Sequence, residues 1–443
     1  MNRELRNAVL EAPDEDAPRR VYADWLIERN DPHGEFIQVQ CELAAIAAAD
    51  GPLEGPDQDR RRALAARERE LLTLHEKEWS AEIRKLAEAW EFRRGFIESV
   101  TLRRLSTLLD PDGALFMIAP VRSVRVSMST IEDVRAIVDC PHLRRLRALH
   151  VPHARPRGAS AAGAPEWRPG FGDDLLDALA RSRNVTGLEE LTLMNSALQI
   201  RGARALARSS SLTGLTRLDL SRNRLDADAC RTLCDSPNLA RLTSLALGNN
   251  AIGPPGAMHL ARSPHLAGLT SLRLDATRLG VTGIKQLASS PHLARLLTLD
   301  LSGNELGGDG ARVLASWVHL AGLHELRLGA NAVEDAGVKS LTSSSYFPHL
   351  RVLALPSSGI GSAGAMTLSR CSRLDRLTDL DLDYNRIGEL GARFLAESPY
   401  LGELTSLFLE GNAAIEARGR QALQSSKRLA KLTTWTGLRG RAG

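Results

Sequence analysis

The chain has 443 residues, 43 % of them apolar and 25 % charged, with a formal net charge of +4. That balance is ordinary for a folded protein, and the charge is too small over this length to argue for nucleic acid. Six of the 57 basic residues are lysine, an arginine bias that fits a GC-rich genome better than a phosphate-binding task. Nowhere do 18 apolar residues run together and Met1-Asn-Arg-Glu-Leu-Arg has no signal core, so a cytoplasmic protein with no membrane segment is expected. The five cysteines form no C-x-x-C pair and no disulfide framework.

Residues 1–50 read as a small all-α module of three helices. The first lies near Arg3–Glu11, the second follows Asp16-Ala-Pro18, and the third begins near Glu35. Asp50-Gly-Pro-Leu-Glu-Gly-Pro-Asp57 reads as a linker, and Asp59–Trp90 as a charged helical stretch, so that 51–90 forms a connecting segment. From 91 onward the pattern changes. Ile97-x-x-Val100-x-Leu102, Val121-x-x-Val124-x-Val126 and Leu146-x-x-Leu149-x-Val151 are irregular copies of one frame, in 91–187. Residues 155–172 interrupt them with a Gly/Pro/Ala-rich insertion that carries Trp167 and Phe171 and is expected to stand out as a loop.

Between Leu188 and Asn412 the frame becomes regular, with nine copies of 27 residues. Leu215-x-x-Leu218-x-Leu220-x-x-Asn223-x-Leu225 returns as Leu242-x-x-Leu245-x-Leu247-x-x-Asn250-x-Ile252 and again at Leu377. The L-x-L spacing predicts a short strand with both leucines inward, and Ala203, Leu206 and Ala207 stand at helical spacing. Neither element buries its apolar face alone, so the coils must stack. The frame asparagine is expected to bond backbone groups where the chain leaves the strand, less completely where Ser196, Thr277 or Ser358 replaces it. Residues 413–443, with Leu432-Thr-Thr-Trp435, read as a degraded last coil, a cap.

This frame identifies the chain as resembling leucine-rich-repeat proteins of the ribonuclease-inhibitor-like kind. The resemblance implies an α/β solenoid, a curved horseshoe with parallel strands on its concave face and helices on its convex face, spanning 91–443. The run Asp14-Glu-Asp-Ala-Pro-Arg, Val21-Tyr-Ala-Asp-Trp-Leu and Asp31-Pro-His-Gly34-Glu-Phe-Ile-Gln-Val-Gln40 resembles the bacterial repeat-companion domain, and Trp90-Glu-Phe-Arg-Arg-Gly-Phe resembles its entry into the repeats. That family implies no activity. Tyr22, Asp24, Trp25 and Gly34 match its motif, and either bind something or hold three helices together, with packing favoured.

Chemistry finds little support. Gly359-Ile-Gly361-Ser-Ala-Gly364 fits G-x-G-x-x-G, but the same place in other coils also carries glycine, so these mark a turn into a helix and no cofactor is expected. His265, His292 and His319 share a column with Asn238, Tyr346, Arg373 and Tyr400, a mix no metal site tolerates. Cys140, His142, His150 and His153 are split between the strand and helix sides. Cys230, Cys234 and Cys371 fall in columns of Ala and Ser and read as core residues. No metal, no catalytic residue and no enzyme is expected.

The non-leucine strand positions remain. They gather Arg273, Asp275, Asp300 and Arg327 in the middle, and Asp379, Asp381, Asp383 and Glu410 beside Tyr384 and Phe408 at the C-terminal end. The reading is a non-catalytic, monomeric scaffold that binds a partner protein, through a basic segment, on its concave face, with no nucleic acid or membrane involved. The alternative is a regulator of an enzyme, GTPase-activator-like or ubiquitin-ligase-adaptor-like, acting through the 155–172 loop.

Overall fold

The computed structural model describes residues 2–48, 56–153 and 171–436, in two compact units. One comprises Met1–Pro169 with Ser182–Leu193, the other Gly170–Arg181 with Met194–Gly443. Among the described residues no helix is long and apolar enough to cross a membrane.

The first unit opens with α1 (Arg3–Glu11), α2 (Ala17–Ile27), α3 (Pro32–Ala48) and α4 (Pro56–Trp79). Asn2 starts α1 by accepting the amides of Glu4 and Leu5 on its side-chain oxygen. Val9, Tyr22, Ala23, Leu26, Ile37 and Cys41 form the core of these helices together with Phe96, and Leu5 and Trp25 pack against it. The Tyr22 and Trp25 rings are stacked with centroids 6.2 Å apart, and Asp24 accepts the Gln38 amide on the surface. Gly34 lets α2 and α3 meet, since a Cβ there would lie 2.6 Å from the Ala23 carbonyl oxygen. Gly34→Ala is therefore expected to destabilise this unit by about 1–3 kcal/mol through overpacking. A urea midpoint equal to wild type would contradict that packing role.

The helical reading of 59–90 is corrected at its end. The helix stops at Trp79, and Ala87–Arg93 (β1) pairs antiparallel with Phe96–Leu102 (β2). Arg94 and Gly95 both have positive φ, 49° and 85°, and make the two-residue turn that such a hairpin favours. Buried Gln40 secures it, accepting the Gly95 amide and donating to the Phe92 carbonyl and to Glu68. The three irregular frames then line up: β2, β3 (Ser123–Arg125), β4 (Ala148–Val151) and β5 (Glu190–Leu193) are parallel neighbours in chain order. Their frame residues, Ile97, Val100, Leu102 and the corresponding valines and leucines, are buried. Two short helices, α5 (Ala114–Ile118) and α6 (Ile131–Asp139), take the helical side.

The second unit is a leucine-rich-repeat solenoid. Nine parallel strands follow in chain order: β6 (Arg217–Asp219), β7 (Ser244–Ala246), β8 (Ser271–Arg273), β9 (Thr298–Asp300), β10 (Glu325–Arg327), β11 (Val352–Ala354), β12 (Asp379–Asp381), β13 (Ser406–Phe408) and β14 (Thr434–Trp435). Helices alternate with them, from α7 (Gly172–Arg181), α8 (Ile200–Arg208) and α9 (Ala227–Cys234) through α10 (Gly253–Arg262), α11 (Gly280–Ala288) and α12 (Gly307–Ala315). The series continues with α13 (Glu334–Ser343), α14 (Ser362–Ser369), α15 (Glu389–Ala396) and α16 (Ala417–Gln424). Frame leucines such as Leu215, Leu218 and Leu220 are almost fully buried, each contributing roughly 1.5–3 kcal/mol. Cys230, Cys234 and Cys371 are buried too, as small core residues of their coils.

Polar ladders join the coils. Asn304 accepts the amides of Thr277 and Leu279 in the preceding coil and donates to the carbonyls of Leu274 and Leu301. Asn250, Asn331, Asn385 and Asn412 repeat this arrangement. Among the described residues the hydroxyl of Ser358, in the same column, reaches only carbonyls, those of Pro356 and Leu328. A serine column on the helical side does the same work: Ser236, Ser290, Ser344 and Ser398 donate to carbonyls one coil back. The glycine-rich turn has its own carboxylate, because Asp335 Oδ1 takes the amides of Gly361 and Gly364 at 2.7 and 2.9 Å. The amides that a dinucleotide phosphate would need are thus already bonded.

Candidate interaction surface

A three-residue strand with one inward leucine has two residues left for the opposite face, and the residue three beyond the leucine returns to that face. Parallel pairing without shifts then aligns these positions from coil to coil. Asp219, Ala246, Arg273, Asp300, Arg327, Ala354, Asp381 and Phe408 succeed one another on neighbouring strands, about 4.8 Å apart. This open face is the one that the sequence expects to be concave.

In the middle, Asp300 stands between Arg273 and Arg327. Partial burial works against the charged guanidinium of Arg327. Its hydrogen bond to Glu325 and the fields of Asp300 and Asp381 outweigh that effect and raise its pKa. Glu325 was not singled out in the sequence, where Asp379 alone was taken from the position before the L-x-L pair. Its place before the pair shares the open face. Asp275 is less available than expected. Its Oδ1 is buried without a hydrogen-bond partner among the described residues, in space that a side chain at Gly248 would fill. Its Oδ2 accepts the Asn249 amide at 2.7 Å. Burial, with Asp300 adding to it, holds the Asp275 carboxyl above the usual range against the pull of Arg273.

At the C-terminal end the register places Asp381 directly beside Phe408, and Asp379 beside Ser406. Burial raises the Asp381 carboxyl, and nearby Asp383 adds to the shift, while the Asp383 amide and Arg327 oppose it. Phe408 is half-buried, Glu410 is exposed, and Tyr384 is 59 % exposed. Tyr384 has a φ of 54° and lies against Gly411, where a Cβ would sit 2.4 Å from the ring. Asp379, Asp381, Tyr384, Phe408 and Glu410 all belong to this end of the sheet. Asp383 has another task, since its Oδ1 takes the Glu410 amide at 2.6 Å and the Thr436 hydroxyl at 3.2 Å. The carboxylates of Asp219, Asp300 and Asp381 likewise each accept the amide two residues on, closing the strand end. Each of them therefore serves the fold with one oxygen and leaves the other to the surface.

Other sequence candidates fall apart in space or outside the description. Trp167 lies outside the described residues. Phe171 is half-buried, and its carbonyl takes the Leu175 amide at the start of α7. Cys140 faces the Leu108 carbonyl, His142 the Asp110 carbonyl, and His150 the Thr192 hydroxyl. Among the described residues, no group of three or more His, Cys, Asp or Glu is placed to hold a metal ion.

Three stretches of the chain, 241–261, 293–315 and 377–396, match the leucine-rich-repeat family model. No curated protein matches the chain. Solved structures that resemble it include an internalin from Listeria monocytogenes, 20 % identical, covering 74 % of this chain and 83 % of that one, with a TM-score of 0.43. A chain of the Rad7 and Elc1 complex in yeast is 16 % identical, covers 76 % of this chain and 80 % of that one, and has a TM-score of 0.49.

Proposed function

We propose that the protein is a non-catalytic interaction scaffold and that the open sheet face of its second unit binds a partner protein. A basic segment of that partner would dock at the C-terminal end. One observation carries this reading. Asp379, Asp381 and Glu410 surround an exposed Tyr384 and a half-buried Phe408 on positions that no leucine, asparagine or serine ladder needs. Aromatic rings supply area that gains from losing water, and carboxylates supply steering and register. The neighbouring Arg–Asp–Arg run offers alternating charge, which would favour a partner of mixed charge over a uniformly charged one.

The test spares Asp381 and Asp383, because both carboxylates hold backbone amides. A variant carrying Asp379→Lys and Glu410→Lys should melt like wild type. Affinity capture from native lysate should then lose one or more polypeptides that wild type retains, with a steep dependence on salt. Identical retention by both proteins would remove the C-terminal patch from consideration.

A further inference from the structure

The first unit contains a cavity of about 550 Å³ that the solenoid reading leaves unused. That volume is within the range of small-molecule sites. It is walled by the rings of Tyr22, Trp25, His33, Trp79, Phe92 and Phe96. Tyr22 and Trp25 come from the Tyr-Ala-Asp-Trp-Leu motif, so the motif that packs the helices also forms two of these walls.

The polar groups of the cavity mostly accept. Glu78, Asp31 and Glu82 line it against Arg6 and Arg29, and both arginines are engaged. Arg6 donates to the Ile118 carbonyl and stands 3.9 Å from Glu82. Arg29 donates to the Trp25 carbonyl, and its guanidinium lies 4.1 Å above the Trp25 ring. The Glu78 carboxylate makes no ion pair among the described residues. His33 Nε2 is 2.8 Å from the Gly95 carbonyl and must carry the proton there, which leaves Nδ1 as an acceptor with no partner among the described residues. Burial holds this imidazole below its ordinary range, and neutrality keeps Nδ1 an acceptor at pH 7. The His33 ring stacks on Trp79 at 4.8 Å, and the amide of His33 is bonded to Asp31. One end of the cavity therefore combines aromatic faces, two carboxylates and a free acceptor.

We propose that this cavity binds an organic cation, an alkylammonium or guanidinium group, with aromatic faces around it and its N–H donors directed to Glu78, Asp31 and His33 Nδ1. Cations are attracted to indole and phenol faces, and Arg29 over Trp25 already makes that contact at the cavity wall. The cation comes either as a free amine or as an arginine side chain of a polypeptide, and the two sources are separable.

The experiment is calorimetric titration of the full chain at one ionic strength with agmatine, with a blocked Ala-Arg-Ala peptide and with sodium benzoate. Saturable binding of either cation, with benzoate silent, is the expected result. Agmatine alone would identify a free small molecule, and tighter binding of the peptide would identify a polypeptide. Glu78→Gln, an exposed change that should leave melting unaltered, is expected to weaken the cation about tenfold. Arg29→Gln should strengthen it by freeing the Trp25 face, a gain that a merely structural role would not produce. Binding of benzoate in preference to both cations, no heat from either cation, or unchanged affinity in Glu78→Gln would each overturn the proposal. The site belongs to the first unit, so its failure would leave the sheet-face reading untouched.

Discussion

Replacing Asn304 by alanine should lower the stability of the second unit by about 3–5 kcal/mol, and the damage should appear one coil before the substitution. The side chain is fully buried and bonds in two directions. Its oxygen takes the amides of Thr277 and Leu279 at 3.0 and 3.1 Å and also the Thr277 hydroxyl, and its amide donates to the Leu274 and Leu301 carbonyls. Alanine supplies none of these bonds, and each buried group left without a partner costs about 1–3 kcal/mol, partly offset by relaxation. Serine should be intermediate, because Ser358 in the same column still reaches carbonyls but accepts no amide from the preceding coil. Hydrogen exchange gives the sharpest check. Protection should fall first at Thr277 and Leu279, 27 and 25 residues upstream. Loss confined to the coil of residue 304 itself would show that the ladder does not couple coils in this direction.

The second large effect belongs to the first unit. Arg19 is completely buried, with Nη2 at 2.7 Å from both the Glu98 carboxylate and the Pro13 carbonyl, Nη1 at 3.0 Å from the Arg94 carbonyl, and the Phe96 ring below it. Glu98 also receives Arg94 at 2.9 Å. Burial depresses the Arg19 guanidinium and raises the Glu98 carboxyl in spite of their attraction, so both charges are held at a desolvation cost. Arg19→Met should therefore destabilise the unit by about 3–5 kcal/mol, because it strands a buried carboxylate. The double variant Arg19→Met with Glu98→Leu should recover most of that loss, since an apolar pair carries no charge to desolvate. Urea melts of the single and double variants decide the matter. A double variant no more stable than Arg19→Met alone would mean that the carbonyl contacts of Arg19, not the charge pair, hold the structure.

Much of the solenoid could be read directly because the same test is repeated in every coil. A leucine that recurs at one position in nine copies has no reason to do so except burial, and each one is buried. The role of the asparagine followed from the same logic, but not its direction across coils, since spacing within one copy says nothing about the neighbour's amides. Ala87-Glu-Ala-Trp90, read as the end of a helix, misled for the opposite reason. It occurs once, follows a charged helix, and only the Arg94-Gly95 turn reveals the strand. On the open face, the register told which side chains share a surface. It could not tell that Asp383 and one oxygen of Asp381 are spent on backbone amides, because an aspartate closing a turn and an aspartate awaiting a partner look alike in sequence. The aromatic cavity was invisible because its walls come from segments that are far apart in the chain, from Tyr22 to Phe96.

The ladders between coils have a consequence for how such a protein changes over generations. Their bonds join positions 25, 27, 29 or 30 residues apart, and each set repeats from coil to coil. Loss or duplication of one 27-residue unit at the level of the gene rejoins equivalent positions and rebuilds every ladder from the next copy. What it alters is adjacency on the open face: which charge stands beside which, and how far the acidic end lies from the Arg–Asp–Arg run. Copy number thus becomes a coarse adjustment of recognition, made in whole coils, to which point substitutions at the strand positions add the fine one.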